Sequence, residues 1–479
     1  MLSALNNKET QLLYVVDLDD SLLATDLLFE RVRSLFVKAP LALLLIPFMI
    51  LRGKLGFKRW LQKKVELDVA NLPYRREILQ AVILAKQRGE KTILLSASLQ
   101  EDVKAIAVFL KAFDEAIGSD SVNLKGQKKI DLLKEKYPSA ILTYTGDCVE
   151  DLKIWSSCAK IIAINPSHYL RSKIELLGKP SELIYDNKNQ FSLVVKQLRI
   201  YQWVKNLLVF LPVFAAHHFF EISTWVHSLR AFFAFSFLAS GVYVFNDICD
   251  LENDRKQRSK KNRPLASGRL SVKTGLLLIP TCLALSMISC YGAPWKLFAV
   301  LGCYLLMNVA YSFWIKEWLA LDVVFLAIFY TLRIIAGGVA SETVVSEWLL
   351  SFSVFFFFGL AMVKRLSELK NEPQTSNQKV GRRAYESQDS MTLLVSGMST
   401  SLLSILVLAL YLSTGEVKRL YHNPDLLWFV TPCLLFWLNR LWILGARGLV
   451  SEDPLVFALK DKVTWAVALA VIFIVLGAV

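Results

Sequence analysis

The chain has 479 residues, a formal net charge of +14, and 54% hydrophobic against 20% charged residues. That is long enough for two or three domains and too apolar for an ordinary soluble protein. The basic residues stand beside long apolar runs, which sets nucleic acid aside and points to lipid headgroups and phosphorylated substrates as partners.

The N-terminus, MLSALNNKETQ, has no basic stretch followed by an apolar one, so no signal peptide is expected and the N-terminal domain should stay in the cytoplasm. Residues 1–190 alternate charged helical stretches with short apolar strands, as a soluble α/β domain does. The first strand, Leu12 to Val16, ends in Asp17-Leu18-Asp19. Two carboxylates spaced i, i+2 at the C-terminal end of a strand point the same way, into the crevice where open α/β sheets bind ligands. One can attack phosphorus while the other shuttles a proton. KTILLSAS is a second strand ending in Ser96, whose hydroxyl can hold a phosphate oxygen. KGQKKIDLLKEKY places Lys128 or Lys129 at a helix start, able to neutralise a phosphate. ILTYTGDCVEDLKIW adds Gly146, Asp147 and Asp151, the two acids one helical turn apart and suited to Mg²⁺ directly or through water.

In this order and spacing the set resembles the haloacid dehalogenase-like phosphohydrolases over about residues 11–187. The resemblance implies a Rossmann-like α/β fold with Asp17 as nucleophile, Asp19 as general acid/base, Ser96 as phosphate binder and Lys129 as the motif lysine. It also implies Mg²⁺ at Asp17, Asp19 and Asp147, with help from Asp151. That family usually has Gly-Thr after the second Asp; this chain has Asp20-Ser21. Between the first two motifs, at about 36–66, lies FVKAPLALLLIPFMILRGKLGFKRWLQKK. Its apolar run is ~13 residues, too short for a span, and is flanked by Lys and Arg. An interfacial or re-entrant cap segment lying on the bilayer is expected, with a buried cap helix as the alternative.

From 191 to 479 the expectation is an all-α polytopic membrane domain of about nine transmembrane helices. They fall at 207–220, 228–245, 274–292, 296–314, 319–340, 348–363, 392–413, 425–445 and 462–479. Loops 246–273 and 364–391 are rich in Lys and Arg and are expected inside; loop 341–347 is acidic and is expected outside. After the second run comes NDICDLENDRKQRSKKNRPLASG. On a helix Asp247, Asp250 and Asp254 share one face at i, i+3, i+7, with Asn246 at its edge. Carboxylates so close repel unless a cation sits between them, and Mg²⁺ also keeps places for phosphates. The bases that follow, Arg255, Lys256, Arg258, Lys260, Lys261 and Arg263, are placed to bind a diphosphate.

NDxxDxxxD at this position resembles the UbiA-type prenyltransferase superfamily over about 196–479. LRIYQWVKNLLVF, KKNRPLASG, YSFWIKEWLALD and TLRIIAGG look like its polyprenyl-phosphate phosphoribosyltransferase branch, the decaprenyl-phosphate enzymes of cell-wall synthesis among them. The resemblance implies Mg²⁺, 5-phosphoribosyl diphosphate as donor, a polyprenyl phosphate as acceptor, and the plasma membrane of a prokaryote. A second aspartate motif is reduced to Asp322, with Tyr311, Lys316 and Arg333 around it, which suits a donor with more phosphate. Asp322 and Arg333, three helical turns apart, can share a face; a salt bridge from Asp322 to another helix is the alternative. Gln202, Lys205 and Asn206 are candidates for the acceptor's phosphate. Lys364, Arg365, Glu368, Arg382 and Arg383 are further phosphate-binding candidates.

The function expected is phosphoribosyl transfer to a polyprenyl phosphate, followed by removal of the 5-phosphate by the N-terminal domain. Two alternatives stand beside it: prenyl transfer to an aromatic or quinone precursor, and a non-catalytic lipid-binding or transport module. Homo-oligomerisation is left open.

Overall fold

The computed structural model describes residues 11–186, 189–217, 220–257, 260–371, 385–450 and 453–479. They form two compact units. One holds the chain up to Leu198 together with Val244–Leu278; the other holds Arg199–Tyr243 and Ile279–Val479.

The first unit is built on a six-stranded parallel sheet: β1 (Leu12–Val16), β2 (Lys91–Leu99), β3 (Glu115–Ser119), β4 (Ile141–Gly146), β5 (Lys160–Ile164) and β6 (Ser181–Ile184), in the order β3-β2-β1-β4-β5-β6. Near-continuous apolar runs such as LLYVV form strands here because helices cover both faces. Their alternate residues divide between two cores. Tyr14, Val16, Leu94 and Ile162 pack on one face, and Leu13, Val15, Ile93 and Ile161 on the other. Chain direction across the sheet reverses between β1 and β4, which are paired from Leu12↔Ile141 to Val16↔Thr145. Such a switch point opens a crevice at the C-terminal strand ends. This is the Rossmann-like α/β architecture expected from the motifs.

The cap sequence folds as a helical turn, Pro40–Leu45, a short helix, Ile46–Ile50, and a longer one, Gly53–Lys64. Leu43 and Ile46 pack on Leu35, Leu61 and Val65. The opposite face is bare: Leu41, Leu44, Phe48 and Leu51 are 81%, 72%, 64% and 85% exposed.

Among the described residues, seven helices are long and apolar enough to cross a membrane: Ile222–Cys249, Val272–Ser289, Trp295–Phe313, Leu321–Ala340, Glu347–Lys370, Ser387–Leu412 and Pro424–Ala446. An eighth span results if Pro454–Lys460 and Lys462–Ala478, bent by 86°, are taken together. The remaining expected stretch, 207–220, falls in the shorter apolar helix Ile200–Ala215, which begins as tight 3-10 turns and becomes α-helical only at Leu211. Pro212 sits in its first α-helical turn, where proline costs no hydrogen bond. This is a multi-pass membrane protein.

Candidate active sites

Asp17 follows β1 directly, and its backbone N–H donates to Thr145 O of β4 at 3.0 Å. Its Oδ1 accepts from Leu18 N at 2.8 Å and pairs with Lys129 Nζ at 2.8 Å. Lys129 stands in the first turn of the helix Gln127–Lys136 and also donates to Tyr144 Oη at 3.1 Å. Asp19 receives three donors: Leu27 N (2.9 Å) on Oδ1, and Ser96 Oγ (3.1 Å) and Ser98 Oγ (2.6 Å) on Oδ2. Ser98 was not foreseen, though its i, i+2 spacing from Ser96 on one strand was a readable sign.

Asp147 follows β4 and accepts from Ser21 Oγ at 3.4 Å. Asp151 Oδ2 accepts from the backbone N–H groups of Asp147 and Cys148, both at 3.1 Å, while Tyr144 donates to Oδ1 at 3.0 Å. Among the described residues, one group of three could hold a metal by proximity, Asp147, Cys148 and Asp151. Burial, and after it the Lys129 cation pulling the other way, leaves Asp17 raised to about 7. Burial first, then the charges of Asp17 and Asp151, pushes Asp147 to about 8. This surplus of buried carboxylate beside the crevice fits Mg²⁺, a hard cation that takes oxygen ligands. Asp20 adopts φ +53°, ψ 0°, a left-handed conformation that suits glycine and that Asp tolerates. The departure at Asp20-Ser21 therefore keeps the backbone shape of the loop while adding a carboxylate.

The aspartate-rich segment lies in the same unit. The expected uninterrupted helix is corrected: Ile222–Cys249 ends, and Asp250 (φ −90°, ψ 7°) leads into a separate short helix, Leu251–Lys256. Bonds from Asp250 N to Asn246 O (2.9 Å) and from Asp254 N to Asp250 O (2.8 Å) carry helical spacing across the break, so Asp247 and Asp254 still converge. Arg263 Nη1 sits between them, 3.0 Å from Asp247 Oδ1 and 2.7 Å from Asp254 Oδ2. Gln197 donates to Asp247 Oδ2 at 2.7 Å, and Lys260 stands 3.8 Å from Asp254. Burial raises Asp254 above its ordinary range, with Arg263 and Lys260 opposing. Asp247 and Asp254, bridged by the Arg263 guanidinium, are a carboxylate pair of the kind that holds Mg²⁺ together with substrate phosphates, but with Asp250 they do not form a group of three within reach of one metal among the described residues. Lys261 is exposed, Asn246 and Asp250 are half-buried, and Arg258, Arg382 and Arg383 lie outside the described residues. Arg255 and Lys256, expected on a diphosphate, instead pair with Glu30 (2.6 Å) and Asp68 (3.4 Å).

The second unit buries several of the expected polar residues among its described residues. Asp322, with no exposed surface, pairs with Arg365 Nε at 2.6 Å and accepts from Tyr385 Oη at 2.7 Å. Arg365 also reaches Tyr311 Oη (2.9 Å) and Glu368 (2.7 Å). The bridge to another helix is thus the one formed. Arg333 instead donates to Asn206 Oδ1 at 2.8 Å and stacks on Phe235, Tyr304 and Tyr330. Asn206 donates on to Ser236 Oγ at 2.9 Å. Lys205 pairs with Asp453 and faces the Tyr330 ring. Gln202, Lys316 and Lys364 are half-buried. Tyr385 and Asp453 lie 63 and 248 residues from their partners, distances over which sequence spacing carries no sign of contact.

The profile of the UbiA prenyltransferase family matches residues 207–460, more than half of the chain. The uncharacterized protein y4nM of Sinorhizobium fredii is 33% identical over 454 residues, 94% of this chain and 88% of that protein. The decaprenyl-phosphate phosphoribosyltransferase of Corynebacterium glutamicum is 30% identical over 301 residues, 61% of this chain and 88% of that enzyme. Among solved structures, a substrate-bound phosphoserine phosphatase is similar at 16% identity, with a TM-score of 0.26, over 39% of this chain and 98% of its own.

Proposed function

Since this chain belongs to the UbiA prenyltransferase family, we propose that it transfers the 5-phosphoribosyl group of 5-phosphoribosyl diphosphate to a polyprenyl phosphate, and that its N-terminal domain then removes the 5-phosphate. The observation that carries the first step is the buried pair Asp247 and Asp254 converging on the Arg263 guanidinium. Asp247, Asp250 and Asp254 would hold Mg²⁺, which supplies positive charge for a leaving diphosphate. Arg263, Lys260 and Lys261 would take diphosphate oxygens; in the second unit Lys316 and Lys364 are the candidate phosphate-binding bases, since Arg365 is buried against Asp322, Glu368 and Tyr311. Gln202, Lys205 and Asn206 would orient the acceptor's phosphate. A phosphate oxygen of the acceptor forms the new bond to the anomeric carbon, and the bond from that carbon to the diphosphate breaks. Orientation and charge stabilisation carry such a step.

The donor assignment is supported by the phosphoribosyltransferase name of a 30% identical relative.

In the second step Asp17 would attack the 5-phosphate and Asp19 would protonate the departing ribose oxygen. Asp19 would then take a proton from the water that hydrolyses the aspartyl phosphate. Lys129 and Ser96 would hold phosphate oxygens, and Mg²⁺ would be held by Asp17, Asp19 and Asp147. The fusion tethers this site to a phosphorylated lipid product, which raises its effective concentration. The bare apolar face at Leu41–Leu51 would rest on the cytoplasmic leaflet of the plasma membrane, with the α/β domain in the cytoplasm.

The test is ribose-labelled 5-phosphoribosyl diphosphate with a polyprenyl phosphate, Mg²⁺ and the purified protein in detergent. Label should enter the lipid phase, Asp250→Asn should abolish this, and Asp17→Asn should make the 5-phosphorylated product accumulate. Label entering the lipid phase only from a prenyl diphosphate with an aromatic acceptor would overturn the donor assignment. Dephosphorylation unchanged in Asp17→Asn would remove the second step.

A further inference from the structure

The aspartate-rich segment is fastened to the α/β domain by buried charge. Glu30, on the helix Leu27–Lys38, receives both terminal nitrogens of Arg255, at 2.6 and 3.2 Å. The two side chains are only 2% and 7% exposed, so neither has water to fall back on. Arg255 Nε donates to Ala266 O at 3.3 Å, tying the far end of the loop to its start. One turn along the same helix, Arg33 pairs with Glu252 at 2.6 Å. Packing repeats the pattern outside the charges. Phe36 meets Phe245 edge-on, with ring centres 5.4 Å apart. Gly268, at φ +75°, lies so close to the β1 loop that a side chain there would meet Ala24 at 2.7 Å and Pro73 at 3.0 Å. Contacts to the α/β domain thus bracket Asp247 and Asp254 on both sides in sequence.

The same helix is anchored to the phosphatase-like site. Leu27 N donates to Asp19 Oδ1, and Thr25 Oγ1 donates to Glu30 Oε1 at 3.0 Å. Thr25 O in turn accepts from Asp20 N at 3.2 Å.

We infer that Glu30 and Arg33 are positioning residues for the transferase: through Arg255 and Glu252 the N-terminal domain holds the short helix Leu251–Lys256, and with it Asp254, in the geometry that binds metal and diphosphate. The kinetic part of this inference rests on the proposed transfer; the structural part does not. Removing one partner of a buried pair leaves an uncompensated charge, whereas removing both does not. The single loss should therefore be worse than the double.

The experiment uses the full chain in lipid nanodiscs and compares Glu30→Gln, Arg255→Gln, the double variant and Glu252→Gln. Hydrogen exchange at residues 251–257 is read beside kcat and the KM for 5-phosphoribosyl diphosphate. Glu30→Gln should speed exchange in that helix by about tenfold or more. It should raise KM several-fold with kcat little changed. The double variant should lie closer to wild type than Glu30→Gln, and Glu252→Gln, at a more exposed site, should show the same effects more weakly. Should Glu30→Gln fail to fold, Glu252→Gln decides. Exchange at wild-type rates in Glu30→Gln and Glu252→Gln would overturn the inference. So would exchange that rises equally over the whole sheet, which is what a merely structural pair gives. If the wild-type protein shows no phosphoribosyl transfer, the exchange result alone decides, and the failure belongs to the assigned reaction.

Discussion

Arg365 Nε lies 2.6 Å from Asp322 Oδ2 between two membrane helices, and neither side chain has appreciable contact with solvent. A buried ion pair is weak support for net stability, yet breaking it from one side is expensive. Asp322→Asn leaves the guanidinium with Glu368 and Tyr311 as remaining partners, so the loss should fall at the lower end of the range for such breaks, about 3 kcal/mol. Thermal unfolding in detergent measures it. Asp322→Asn combined with Arg365→Met should recover much of the loss, because neither member of the fully buried pair is then left charged without the other, while Glu368, which loses Arg365, is partly exposed.

Gly146 closes β4 against the carboxylate that organises the next turn. A methyl group there would stand 2.8 Å from Asp151 Cγ and 2.9 Å from Tyr144 Cε1. Gly146→Ala must therefore push Asp151 off the N–H groups of Asp147 and Cys148. Hydrolysis of a small phosphomonoester should fall by about tenfold or more, the scale of a misplaced supporting carboxylate. Phosphoribosyl transfer measured on the same preparation should change far less.

The parts of this architecture that could be read from the sequence are those that local chemistry determines. Asp17-Leu18-Asp19 after an apolar run required a strand end, and NDxxDxxxD after a spanning run required acids at a helix end. Partners contributed by distant segments carried no such sign. Arg263 reads as one more base in a basic loop, and only the fold brings its nitrogen between Asp247 and Asp254. Arg255 reads the same way, until burial against Glu30 takes it from any substrate. Asp322 and Arg333 have the right spacing to share a face, but Arg333 turns to Asn206 and three aromatic rings. The first expected span, 207–220, overlaps the apolar helix Ile200–Ala215, which has fewer residues than the other spans and winds as tight 3-10 turns up to Phe210.

Arg75 holds the β1 loop from outside. Its Nη1 donates to Asp20 O (2.6 Å) and Ser21 O (2.8 Å), and its other nitrogens grip Asp186 at 2.6 to 3.0 Å. Burial works to raise the Asp186 carboxyl, and the Arg75 guanidinium more than reverses this, leaving it below the ordinary range. A carboxylate depressed in the folded state adds stability that is present above its unfolded pKa and lost as pH falls through the folded one. Asp186 is an exposed residue and its charge is screened, so Asp186→Asn should cost about 0.5–1 kcal/mol at pH 7, and the difference from wild type should shrink steadily below about pH 4. Melting curves of both proteins at several pH values test this. A gap that stays constant down to pH 2.5 would mean that the pair contributes by shape and not by charge.

The cap segment presents a bare apolar face. Leu41, Leu44, Phe48 and Leu51 stand out together, and Arg52, Lys54 and Lys58 follow within a few residues. Apolar side chains beside a basic rim suit the interface of an anionic leaflet. A fluorophore on Phe48→Cys, with the seven native cysteines replaced, should emit at shorter wavelength in nanodiscs containing anionic lipid than the free dye does in buffer. Brominated acyl chains should quench it, while the same label at the exposed Lys86, on the helix Arg76–Gln87, should be unaffected. Replacing Leu44 and Phe48 by Asp should reduce dephosphorylation of the lipid-linked product several-fold and leave hydrolysis of a water-soluble phosphomonoester unchanged, since only the former needs the site held against the bilayer. Equal losses on both substrates would show that the face supports folding of the cap instead.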